Sequence, residues 1–208
     1  MLEMNLSHWI FGAAFLVGAI QALAPDHWLP GVLWAWRRRM GFRATSLATL
    51  LLLCVHLVSA AAVYWALGGL LEAWIRPERF FLFAASLSLG FMLLRMLRFS
   101  QLHHAFDSGF SRIEGIWVVL SFLGPAETLI PFLMKSNQLG LGYLTPLAGF
   151  GAGTVLVGVT ASCLGLALCD RPSVLARALD TLQRPVAMVP LAAGAALGLL
   201  LVMSLPIR

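Results

Sequence analysis

The sequence predicts an all-α, polytopic membrane protein with six transmembrane helices, arranged as two inverted three-helix repeats whose first and fourth helices are broken by proline. Three observations predict this fold. First, 60% of the 208 residues are hydrophobic and 11% are charged, whereas a soluble domain has about 25% charged residues. Second, the apolar residues form continuous runs long enough to cross a bilayer, without the alternation of a membrane β-barrel. Third, a proline motif occurs twice.

The continuous apolar runs set the predicted spans and domains. The spans are 8–24, continuing after a break to 36, and then 45–71, 79–98, 113–134, 143–168 and 186–205. We therefore divide one membrane domain into a first repeat at 1–98, a cytoplasmic linker loop at 99–112 and a second repeat at 113–208. The opening residues, MLEMNLSHW, lack the basic region of a signal peptide, so we expect the first run to be retained as a span.

The distribution of arginine predicts the orientation. Most basic residues follow the first, third and fifth spans, and the positive-inside rule places such loops in the cytoplasm. We therefore expect a multi-pass protein of the plasma (bacterial inner) membrane with both termini outside. The net charge of +5 is explained by topology, so we expect membrane lipid and a small ion or solute as partners, and no nucleic acid. Homo-oligomer formation stays open.

Two segments of the chain resemble each other. LAPDHWLPGVL at 23–33 aligns with LGPAETLIPFL at 123–133. The aligned pairs are Pro25 with Pro125, His27 with Glu127 and, after a one-residue shift, Pro30 with Pro131. Repeats with an odd number of spans have opposite orientations, and in secondary transporters such paired broken helices mark the substrate site. Chance similarity between two apolar segments is the alternative.

The two proline breaks predict a polar site inside the membrane. Proline removes a backbone donor, and hydrocarbon cannot satisfy the carbonyls that it frees. Ionisable side chains within membrane spans are functional by default, and His56 lies mid-span, on one helix face with Thr49 and Ser59. The predicted ion-binding or solute-binding residues are Asp26, His27, His56, Glu127, Thr128 and, facing His56 from the fifth span, Thr160.

Four of these residues form the predicted metal-ligand set: Asp26, His27, His56 and Glu127. Imidazole and carboxylate suit divalent transition metals, so a Ni, Co, Zn or Mn ion is expected as substrate and no resident cofactor is required. His103 and His104 in the loop SQLHHAFDSGFSR are a weaker metal pair, for which a solvated loop is the alternative. Gly149 and Gly153 form a GxxxG pattern that predicts close helix packing.

The motifs QALAPDHW and CVHLVS resemble the nickel/cobalt transporter family and its efflux relatives, in the lysine-exporter superfamily of small permeases. That family has His-Ala-x-Asp-Ala-Asp-His in its metal-site helix. Here Ala22, Asp26 and His27 match, whereas Gln21 stands in place of the leading His and Ala24 in place of the first Asp. The ALAPDHWLP form is also similar to membrane proteins related to the urease-accessory type. The resemblance implies a metal permease.

Three functions remain open from the residues. The first is a permease for a divalent transition-metal cation, working by alternating access. The second is a transporter of a small organic or sulfur-containing solute, with His and Asp as proton-coupling groups. The third is a non-transporting accessory protein for metalloenzyme maturation. We do not expect an enzyme, because the sequence has no nucleophile, base and acid at the spacing of a known motif.

Overall fold

The structure, a computed structural model, describes residues 2–24, 27–68, 128–171, 173–174, 177 and 193–194. Every regular element in these ranges is helical, as the all-α prediction requires. The helices are α1 (Leu2–Leu23), α2 (Leu29–Arg37), α3 (Phe42–Val63), α4 (Leu129–Gln138) and α5 (Leu144–Cys169). A π-helical turn, Tyr64–Gly68, continues α3.

Three described helices are long and apolar enough to cross a membrane: Leu6–Leu23, Phe42–Ala66 and Leu144–Cys169. They coincide with the first, second and fifth predicted spans, as expected for a multi-pass membrane protein. The third predicted span, nearly all of the sixth, most of the fourth and the 99–112 linker lie outside the described residues. The six-span count and the inverted repeat therefore stay predictions.

The first span is a broken helix, because α1 ends before Pro25 and α2 begins after it. A continuous helix would bond the Gln21 carbonyl to the N–H of residue 25, which proline lacks. The Ala24 N–H donates to that carbonyl instead, at 3.1 Å, in the tighter pattern of a 3₁₀ turn. The hydrogen bond from Ala24 thus replaces the one that Pro25 cannot make.

Two more hydrogen bonds within the protein satisfy backbone carbonyls at the break. The His27 N–H donates to the Ala24 carbonyl at 3.0 Å, and the Trp28 indole N–H donates to the Leu23 carbonyl at 3.4 Å. Pro30 lies in the first turn of α2, where a helix N–H has no partner within the helix in any case. The carbonyls of Gln21, Leu23 and Ala24 are therefore satisfied by protein groups, as a membrane interior demands.

The second proline motif also adjoins a helix start. α4 begins at Leu129 with Thr128 as its N-cap residue, and the buried Pro131 lies in the first turn of α4. Its missing N–H therefore costs no helical hydrogen bond. Pro125 and Glu127 lie outside the described residues, so the chain before α4 is not compared with the first break.

Helices α1 and α5 pack backbone against backbone through glycine. A Cβ atom on Gly149 would lie 2.4 Å from the Phe11 carbonyl oxygen, and one on Gly153 would lie 2.1 Å from that of Phe15. In the other direction, a Cβ atom on Gly18 would lie 2.4 Å from the Phe150 carbonyl oxygen. No larger residue fits at these distances. The packing role predicted for Gly149 and Gly153 is confirmed.

The contacts set the helix directions. Residue numbers rise together along α1 and α5, from Phe11 beside Gly149 to Phe15 beside Gly153, so these two helices are parallel. Residue numbers rise along α3 where they fall along α5, because Ser46 contacts Cys163 and Leu53 lies beside Gly158. α3 is therefore antiparallel to both. These directions are compatible with an even number of membrane crossings between α3 and α5.

We predict that Gly153→Ala lowers the stability of the protein by about 1–3 kcal/mol, the usual cost of overpacking. The added methyl group would press on the Phe15 backbone, which cannot rotate away, so α1 and α5 must separate. The thermal unfolding midpoint in detergent measures the loss.

Gly12→Ala is the matched control on α1, because a Cβ atom there meets nothing within 4 Å. It should leave the midpoint unchanged or raise it slightly, since alanine is the better helix former. Equal midpoints for the Gly153→Ala and Gly12→Ala variants would contradict the glycine-mediated contact.

Candidate functional site

Four buried polar side chains from four places in the chain meet beside the break that follows α1. Their exposed fractions are 5% for Gln21, 7% for His27, 1% for His56 and 2% for Thr128. We call these four residues the polar cluster. Burying this many polar groups without hydrogen bonds would cost several kcal/mol, so their mutual contacts decide whether the fold tolerates them.

The Gln21 side-chain amide is the hub of the polar cluster. Its Nε2 atom lies 3.2 Å from Nε2 of His27 and 3.5 Å from Nε2 of His56. Its Oε1 atom accepts a hydrogen bond from the Thr128 hydroxyl. One amide therefore holds three side chains from three other segments, and the two imidazoles turn the same ring nitrogen toward one point.

The orientation of the Gln21 amide determines which tautomer each ring adopts. An amide NH₂ group only donates, so with the Gln21 Nε2 atom facing the rings each imidazole Nε2 acts as an acceptor. This arrangement predicts a ring proton on Nδ1 of each histidine. The rings are 5.7 Å apart between centroids and inclined by 74°, so they meet edge to face and do not stack. Two lone pairs thus converge on one buried position.

Local structure places each member of the polar cluster. Gln21 lies in the last turn of α1, and His27 lies in the break itself. His56 is on the buried face of α3, together with Thr49, Leu53 and Ala60. Thr128 is the N-cap residue of α4 but makes no side-chain cap bond, because its hydroxyl donates to Gln21 instead. The site therefore combines the end of α1, the break that follows it, the middle of α3 and the start of α4.

The structure brings together three of the residues predicted from sequence, namely His27, His56 and Thr128. The predicted ligands Asp26 and Glu127 adjoin His27 and Thr128 in sequence, and both lie outside the described residues, as does the loop pair at 103–104. Among the residues that are described, no three His, Cys, Asp or Glu side chains form a group that could hold a metal ion.

Thr160 lies away from the polar cluster. It is exposed, and its hydroxyl donates to the Leu156 carbonyl within α5 at 2.7 Å. A hydroxyl of α5 that does face α3 is that of Ser162, which is fully buried and accepts a hydrogen bond from Thr49 at 3.2 Å. The prediction that Thr160 faces His56 did not allow for the gradual rotation of the buried stripe around α5.

That rotation has a simple geometric cause. The buried residues Thr154, Gly158, Ser162 and Leu166 of α5 follow one another at intervals of four, and each such step turns the stripe by about 40° in a helix of 3.6 residues per turn. A stripe that starts near Gly149 therefore moves well around α5 before its C-terminal half. Thr160 falls on the outer side as a result.

Gln21 is the site residue that the sequence analysis missed. It was identified only as a substitution at the position of the family's leading His. The signal was present, because Gln21 is the only polar residue between Trp9 and Leu23 of an otherwise apolar helix. A polar side chain that far into a span requires a buried partner, and this one has three.

We predict that His27 and His56 both carry their proton on Nδ1. Nitrogen-15 solid-state NMR of histidine-labelled protein in lipid distinguishes the two tautomers, and His27→Ala and His56→Ala variants assign the signals. Gln21→Leu removes the donor to both Nε2 atoms and should shift both signals together. Signals from Nε2-protonated rings in the wild-type protein would contradict this arrangement of the amide.

No protein-family model matches the chain, and neither a curated protein nor a solved structure does. The nickel/cobalt transporter resemblance therefore rests on the motifs of the sequence, and the function is argued from the polar cluster itself.

Proposed function

We propose that the protein is an integral membrane permease that moves a divalent transition-metal cation, of the Ni²⁺ or Co²⁺ type, through the polar cluster by alternating access. The observation that carries the proposal is the convergence of two imidazole Nε2 atoms on one buried point at a helix break. Imidazole nitrogen is a preferred ligand of these metals, and a site near the middle of a span at a broken helix is where transporters bind substrate.

The Gln21 amide occupies the position that the cation takes. Its NH₂ group presents partial positive charge to both Nε2 lone pairs, as a cation does. Metal–imidazole bonds are about 2.0–2.1 Å long, shorter than the 3.2 Å and 3.5 Å contacts to the amide. Binding therefore turns the NH₂ group aside and draws the two rings inward, so arrival of the substrate contracts the site.

The remaining ligands follow from chemistry and sequence. Once the amide turns, its Oε1 atom can face the cation, and the Thr128 hydroxyl then loses its acceptor and becomes a further oxygen ligand. A divalent charge in a low-dielectric interior also needs anions. Asp26 and Glu127 adjoin His27 and Thr128 in sequence, and in this proposal they supply that negative charge.

The helix arrangement supports alternating access. The polar cluster joins the break between α1 and α2 to the start of α4, and these elements belong to different predicted repeats. α1 and α5, also from different repeats, meet through the close glycine contacts. A rocking motion of one repeat against the other would open the polar cluster to either side while the cluster itself stays at the pivot.

A small polar solute is the second candidate. The polar cluster is a hydrogen-bonded set of amide, hydroxyl and two imidazoles, and that set also suits an organic substrate with proton coupling through histidine. Equilibrium binding of radiolabelled Ni²⁺ or Co²⁺ to purified wild-type protein separates the two. A solute transporter binds neither metal at micromolar concentration.

We predict that His27→Ala and His56→Ala each weaken Ni²⁺ or Co²⁺ binding by about 100-fold or more, because loss of a direct ligand costs at least as much as loss of its outer partner. Uptake or efflux by proteoliposomes should fall in parallel. His8→Ala is the matched control, because His8 is exposed near the start of α1. Unchanged binding and flux in the His27→Ala and His56→Ala variants would exclude metal transport through the polar cluster.

We also predict that Gln21→His tightens metal binding by about 10-fold or more, because a third imidazole replaces the amide at the point where the other two converge. Transport should slow, since a substrate held more tightly leaves more slowly. Gln21→Leu is the control that removes the amide without adding a ligand, and it should lower thermal stability without tightening binding. Weaker binding in the Gln21→His variant than in the wild type would contradict this geometry.

A further inference from the structure

A second set of polar side chains lies between α3 and α5, away from the polar cluster. The Thr49 hydroxyl donates to the Ser162 hydroxyl at 3.2 Å, and Ser46 Oγ lies 3.2 Å from Cys163 Sγ. Thr49 and Ser162 are both buried. We call these four residues the hydroxyl–thiol layer. They lie within one helical turn, and the mechanism proposed above does not use them.

The hydroxyl–thiol layer and the polar cluster are aligned along α3. Thr49 and His56 share the buried face of that helix and are separated by about 10 Å, from a rise of 1.5 Å per residue. A substrate moving along the contact between α3 and α5 would therefore meet the hydroxyl–thiol layer about two turns from the imidazoles.

Leu53 separates the two polar sets. It is 1% exposed and lies between Thr49 and His56 on the buried face of α3. A Cβ atom on Gly158 would lie 2.9 Å from Leu53 Cδ1 and 3.9 Å from Ala22 Cβ, so the leucine fills the space that glycine leaves open. A narrow apolar layer of this kind closes a path to water and ions.

An open cleft lies beyond the hydroxyl–thiol layer, at the arginine-rich end. Its volume is about 620 Å³, and the residues that line it include Trp36, Arg37, Arg39, Phe42, Leu166 and Asp170. Phe42 precedes Ser46 by one helical turn, and Leu166 follows Ser162 by one turn. Asp170 places a carboxylate beside the arginines, and its Oδ1 accepts a hydrogen bond from the Trp36 indole at 3.2 Å.

We infer that the contact between α3 and α5 is the substrate path on the arginine-rich side, with Leu53 against Gly158 as its gate and the hydroxyl–thiol layer as a second, transient cation site. This inference rests on the proposed function. Three hydroxyl oxygens and a thiol are uncharged ligands that already bond one another, so they hold a divalent cation weakly. Weak binding suits a transient site, because the cation must leave it for transport to continue.

Native Cys163 tests the path directly, in a Cys54→Ala/Cys169→Ala background reconstituted in vesicles. A charged, membrane-impermeant methanethiosulfonate reagent should modify Cys163 from the arginine-rich side and not from the other, and Ni²⁺ or Co²⁺ should slow the reaction. The matched control is Cys163→Ala/Cys169→Ala, which leaves the exposed Cys54 on α3. Cys54 should react only with a membrane-permeant maleimide.

Removal of the gate is the second test. Leu53→Ala should raise downhill Ni²⁺ or Co²⁺ flux through proteoliposomes several-fold, because the apolar closure is lost. Leu51→Ala is the matched control, since Leu51 also lies on α3 but is 59% exposed. It removes the same atoms from the exposed side of α3, away from the contact with α5.

The possible outcomes distinguish failure of the proposed substrate path from failure of the proposed function. Wild-type protein that binds no metal refutes the proposed function. Metal binding that requires His27, together with a Cys163 that only the permeant reagent modifies, refutes the path alone. Equal flux through the Leu53→Ala and Leu51→Ala variants refutes the gate.

Discussion

The backbone contact between α1 and α5 is the constraint on which the rest of the structure depends. Gly18, Gly149 and Gly153 bring carbonyl oxygens of one helix to where a side chain of the other would begin. Gln21 follows Gly18 by three residues, so the same contact determines the depth and direction of the Gln21 amide. Within a membrane the hydrophobic effect does not drive helices together, and such close packing must do so.

The Gln21 amide is hydrogen-bonded to three buried side chains of the polar cluster. An unpaired buried amide or hydroxyl costs about 1–3 kcal/mol, and the Gln21 amide removes that cost for the Thr128 hydroxyl and for one ring nitrogen of each histidine. The hydrogen bonds of the polar cluster depend on one another, because a single rotation of the Gln21 amide breaks its bonds to all three partners. In the proposed function, the cation would compete with the amide for the same two lone pairs.

The sequence predicted the break and part of the site from local chemistry. Pro25 interrupts the hydrogen bonds of any helix, and a histidine in the middle of a span, such as His56, needs a buried partner whatever the fold. Thr160 and Gln21 show the limit of such reasoning. For Thr160, the buried face of α5 depends on how that helix crosses α1 and α3, which the sequence does not show. For Gln21, the motif comparison shows that the residue differs from the family's His, but it does not show that the amide still belongs to the site.

The most direct test of the central claim, that the two imidazoles of the polar cluster bind a transition-metal cation, is X-ray absorption spectroscopy of the purified protein loaded with Ni²⁺ or Co²⁺. We predict two imidazole ligands with oxygen atoms completing the shell, the imidazole nitrogens at about 2.0–2.1 Å from the metal, and loss of the imidazole scattering in a His27→Ala/His56→Ala variant. A first shell that contains sulfur, or one of water alone without imidazole scattering, would contradict it.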